Sequence, residues 1–96
     1  MSTPNPSFSE FEAQAKAEGY DEVLARDWPP NAIATEHQHP FTACALVVQG
    51  EMWLTVGDRV QHLRPGDRFE IQRNTPHNER YGAEGATYWV ARRNPA

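Results

Sequence analysis

The spacing of apolar residues changes once along the chain, near residue 20. Before that point Phe8, Phe11 and Ala15 recur at helical spacing. Ser9 and Glu12 stand three residues apart, the pair that closes a capping box at a helix start. Gly19 offers a left-handed stop, and Tyr20 can pack back on the last turn. The signals predict a short amphipathic helix at about residues 8–18, lying on the outside of a barrel or on a partner. Met1–Pro6 is polar and proline-containing and is expected to fray.

From Asp21 the pattern is that of strands. Glu22–Trp28 reads as one and is broken by Pro29-Pro30-Asn31. Residues 32–39 and 41–48 read as extended, with a kink at Pro40. Gln49-Gly50 reads as a turn, after which Met52, Leu54 and Val56 alternate with Trp53 and Thr55. Further strands are predicted at 59–63, 68–72, 77–81 and 86–92. Between them stand Gly57-Asp58, Pro65-Gly66-Asp67, the loop Arg73–Pro76, and Gly82–Gly85 read as a turn. Short strands with turn signals every eight to twelve residues indicate an all-β sandwich or barrel.

Length makes this one small domain spanning residues 1–96, with a core that is marginal unless a metal or second subunit adds to it. The formal charge of −4 is spread out, and Arg92-Arg93 is too short a basic run for nucleic acid. Membrane binding is not indicated either: the longest apolar run, Ala43–Val48, could not span a bilayer. Cys44 is the single cysteine, which rules out an intramolecular disulfide. Met1–Ser9 has neither the basic nor the apolar part of a secretory signal. A cytoplasmic location is expected.

Three of the four histidines are placed informatively. His37 and His39 are two apart on a predicted strand, so both imidazoles face one side. His77 opens a later strand and could complete a facial set on one metal ion, for which neutral imidazole is a good ligand. A lone H-x-H is more often ordinary surface polarity. His62, in a hairpin, reads as exposed. If His77 points inward, so do Glu79 and Tyr81. Glu79 is either a carboxylate serving the histidine site or a charge at a solvent-filled barrel mouth. Phe41, Ala43, Ala45 and Val47 share the inward face, and Cys44 takes the outward one as a packing residue. Trp28, Trp53, Tyr88 and Trp89 are assigned to the core or a subunit interface.

These spacings resemble the cupin family, whose two motifs sit on a double-stranded β-helix, or jelly roll. The first, G-x5-H-x-H-x3-E-x6-G, is met by Asn31, His37, His39, Ala43 and Gly50. The second, G-x5-P-x-G-x2-H-x3-N, is met by Gly66, Gln72, Asn74, His77 and Tyr81. No insertion interrupts either, and the gap between them is short, as in small bacterial members. Asn31 and Asn74 replace glycines, and Asn is the residue that next best tolerates positive φ. Ala43 replaces the family's usual glutamate ligand and cannot coordinate. The resemblance therefore implies a jelly-roll barrel with one divalent transition metal ion (Fe, Mn, Ni or Zn) on His37, His39 and His77.

Three-histidine sites occur among cupins, including thiol dioxygenases. The implied function is a metal-dependent enzyme, of dioxygenase, lyase or isomerase type, on a small anionic molecule. Glu79 and Tyr81 would move protons. The alternatives are a non-catalytic small-molecule binding or sensing module, reached if the lost glutamate marks a lost site, and a structural dimer with an incidental metal. A homodimer through exposed strand edges is expected.

Overall fold

The computed structural model describes residues 6–95. The segment expected to fray lies outside the described residues except for Pro6. One helix, α1 (Phe8–Ala17), precedes six strands: β1 (Glu22–Trp28), β2 (Ile33–His37), β3 (Thr42–Val56), β4 (Arg59–Leu63), β5 (Arg68–Ile71) and β6 (His77–Arg93).

The helix begins one serine earlier than its sequence signal suggested. Ser7, not Ser9, is the N-cap: its hydroxyl accepts from Glu10 N, and the Glu10 carboxylate accepts from Ser7 N. Both Ser-x-x-Glu pairs satisfy the capping rule, and the earlier one lets Phe8 join the helix and meet Trp89 edge-on at 5.5 Å. The other end is as expected. Gly19 adopts φ +94°, and Tyr20 N and Gly19 N donate back to Ala15 O and Lys16 O.

Two expected turns are not turns. Gln49-Gly50 lies within β3 and Gly82–Gly85 within β6, and these two long strands pair antiparallel along most of their length. The register shifts between Val47 and Gln49 and again between Gly50 and Met52, so the ladder bends there. Gly50 and Gly85 have φ +74° and +72°. A Cβ on Gly50 would collide with the Gly85 carbonyl, and one on Gly85 with the Trp28 carbonyl. Glycine therefore serves here to crease a strand, not to end it.

The crease makes two four-stranded faces from six strands. In the first, β1 pairs the C-terminal half of β6, which pairs the N-terminal half of β3, which pairs β5. In the second, β2 pairs the N-terminal half of β6, which pairs the C-terminal half of β3, which pairs β4. This is the expected double-stranded β-helix. Alternation sends Ala43, Ala45, Val47, Met52, Leu54 and Tyr81 into the core between the faces. On the outer side of the first face, Leu46 and Ala91 are buried under Phe11 and Ala15 of α1, with Trp89 packed alongside. Cys44 is on this outward face, and burial pushes its thiol pKa up. No helix among the described residues is long and apolar enough to cross a membrane.

Candidate metal centre

Two strand ends and the loop between β2 and β3 deliver the histidines to one mouth of the barrel. β2 ends on His37, which is in register with His77, the first residue of β6. His39 lies just beyond β2, outside the strand predicted for it. Its position is held because Asn74 N donates to His39 O at 2.6 Å. Asn74 adopts φ +61° and Asn31 φ +59°, the left-handed conformations anticipated for both. Asn31 N in turn donates to Gly82 O, fixing the entry to β2.

The imidazoles converge. One ligand atom from each of His37, His39 and His77 lies within 4.8 Å of the others. Ring centroids are 4.8 Å apart for His37–His39, 4.3 Å for His37–His77 and 5.2 Å for His39–His77. His37 Nδ1 is 2.7 Å from Thr35 O, and His77 Nδ1 is 2.8 Å from Thr75 O. A carbonyl accepts only from N–H, so each Nδ1 carries a proton, and in the neutral ring Nε2 is then the nitrogen with a lone pair for a ligand. His39 stacks on Phe41 at 4.8 Å. Burial, then the nearby His37, His77, Arg92 and Arg26, holds its pKa below the ordinary value and keeps it neutral. Such a donor set fits a divalent transition metal.

The histidines open into a cavity of about 140 Å³. Glu79 lines it, is 5% exposed, and places Oε2 3.7 Å from His37 Nε2. It is thus a neighbour of one imidazole, just beyond hydrogen-bond distance. Tyr81 is elsewhere. Its ring is buried, stacks on Trp28 at 4.8 Å, and does not line the cavity. Its hydroxyl is buried with no hydrogen-bond partner among the described residues, and that burial, with Tyr88 and Glu79 nearby, raises its pKa steeply. Tyr88, expected in the core or a subunit interface, is in the core and also lines the cavity, where it accepts from Trp28 Nε1 at 3.4 Å. His62 is exposed as expected, stacking on Trp53 and meeting Glu51 at 2.7 Å.

Sequence reasoning missed the two arginines of the cavity, Arg26 and Arg92. Strand parity could have found them. Arg26 alternates in phase with Leu24 and Trp28, and Arg92 with Tyr88 and Val90, all of which pack on or in the core.

A creased jelly roll with three imidazoles clustered at its mouth defines a class of small β-barrel proteins. Residues 26–91 match the Cupin domain family (Cupin_2), and the chain belongs to that family. It is 45% identical over 38 residues to an uncharacterised HTH-type transcriptional regulator of Haemophilus influenzae. That match covers 40% of this chain and spans only 13% of the relative. KdgF from Halomonas sp. superposes with TM-score 0.64 at 21% identity, over 76% of this chain and 68% of that one. Oxalate decarboxylase of Bacillus subtilis, studied for its Mn(II) centres, superposes with TM-score 0.69 at 22% identity, over 75% of this chain and 20% of that one.

Proposed function

We propose that this cupin is a metal-dependent enzyme acting on a small anionic molecule, with His37, His39 and His77 as the ligands. One observation carries the reading: three imidazoles converge on a cavity, and two have their Nδ1 protons committed to backbone carbonyls. A divalent ion held there supplies Lewis acidity to a bound oxygen group. Fe, Mn, Ni and Zn all suit an imidazole set. Glu79 takes or returns a proton at the cavity wall, where its carboxylate is buried beside His37. Tyr81, stacked on Trp28 and beside Glu79, is the second group that would move a proton, acting from behind the cavity wall. Two copies associate through the second face, where the outer strands β2 and β4 expose Ile33 (68%) and Val60 (59%).

A sensing module is the second reading, favoured by the similarity to part of a transcriptional regulator. The two readings separate at Glu79. Tag-free protein is expected to hold about one transition metal per chain by mass spectrometry, and a His37→Ala/His77→Ala protein none. Failure to bind any of the four ions after reconstitution overturns the metal reading. A Glu79→Gln protein that keeps its metal and loses turnover on a substrate found by screening supports the enzyme. Unchanged turnover removes Glu79 from the chemistry.

A further inference from the structure

The cavity wall carries positive charge that the described chain leaves unmatched. Arg26 and Arg92 both line the cavity that holds the histidines. Each guanidinium lies over an aromatic ring, Arg26 5.3 Å from the Trp28 centroid and Arg92 4.6 Å from that of Phe41. Neither makes a salt bridge among the described residues. Arg92 Nε is buried and has no acceptor there. An arginine directed into a barrel gives up hydration, and an uncompensated buried donor is costly. The cavity's carboxylate, Glu79, is beside His37. Directly across the β3–β6 ladder from Arg92 is Ala43, whose methyl leaves open the space a longer side chain would occupy.

We propose that Arg92, with Arg26, is the recognition element for the carboxylate of a small organic acid, which fits over Ala43 with its remainder toward the histidines. This rests on the reading of the site as one for a small anion and names the class. Guanidinium is suited to it, since its planar fork matches a carboxylate in two parallel hydrogen bonds. Size limits the guest: a cavity of roughly 150 Å³ admits benzene, so about six to eight non-hydrogen atoms are the ceiling here. Phosphate is the weaker match. No helix N-terminus lines the cavity, because α1 covers the outer side of the first face.

Malonate is a suitable probe, and malonamide is its uncharged counterpart of nearly equal size. Zinc-loaded protein is titrated with each while the Arg92 Nε–H resonance is followed by NMR and zinc content is measured. Malonate is expected to shift that resonance saturably, and malonamide not to. Arg92→Gln should weaken malonate binding at least tenfold at unchanged zinc content, and Arg26→Gln by a smaller factor. Malonate affinity in Arg92→Gln within twofold of the parent overturns the proposal, as does equal binding of malonamide by the parent, a comparison that needs no substitution. Equal affinity for inorganic phosphate overturns the carboxylate class. If zinc does not load, the metal reading fails separately, and the same titration on zinc-free protein still tests the arginines.

Discussion

The two faces of the barrel share their long strands and differ on their outer sides. Over the first face, Phe11 and Ala15 of α1 close on Leu46 and Ala91, leaving all four at 6% exposure or less. Over the second, a row in register across four strands, Ile33, Arg80, Trp53 and His62, faces outward without such a cover. Arg80 stacks over Trp53 at 4.2 Å and His62 at 4.5 Å, so the indole is covered by polar planes instead of a helix. An outward strand position is thus not polar by rule. Its burial depends on whether the chain supplies something to lie on it.

The comparison can be broken by truncating one aromatic on each side. Phe11→Ala should cost about 3–5 kcal/mol in urea unfolding, as for buried aromatic cores. Trp53→Ala should cost about 1 kcal/mol, because the neighbours that cover it are themselves exposed. Equal losses would mean that the second face is covered as fully as the first in solution. A smaller effect is expected from Ile33→Lys with Val60→Lys. Monomer stability should change by less than about 0.5 kcal/mol, while sedimentation velocity should report loss of the proposed dimer; a dimer that persists in the variant places the contact elsewhere.

The smallest effect is a pH slope from the mouth between the faces. The folded pKa of His39 is below its ordinary value of 6.5, so the unfolded chain binds that proton first as pH falls. Metal-free protein should therefore hold its full stability above about pH 6.5 and lose part of it below. His39→Gln should flatten that part of the profile, and Phe11→Ala should leave its slope intact. A slope unchanged in His39→Gln assigns the titration to other groups.

Much of this architecture is legible in the chain because it depends on spacing. The alternation of Met52, Leu54 and Val56 predicts the C-terminal half of β3, and Asn31 and Asn74 stand where left-handed φ is needed. The nearness of His37 to His39 is legible for the same reason, since i and i+2 on an extended segment is a local fact, while His77 joins them only through the cupin spacing. The crease at Gly50 and Gly85 is not. A glycine that ends a strand and a glycine that bends one look alike until the partner backbone is known. The helix start is ambiguous because Ser7 and Ser9 each have a glutamate three residues on. Arg26 and Arg92 escape notice because a basic residue in a strand reads as exposed, and only the phase of its neighbours says otherwise.

Because β3 and β6 each serve both faces, neither face can form without the strands of the other. Unfolding should accordingly be all-or-none, with no half-barrel retained. The same sharing ties the mouth to the whole: His77 takes its place opposite His37 only when β6 has found both β2 and β3. A metal bound there would select the folded chain as a unit, adding about 2.7 kcal/mol when free metal is a hundred times its dissociation constant. In a protein this small, metal supply would then act as a control on how long the whole fold survives.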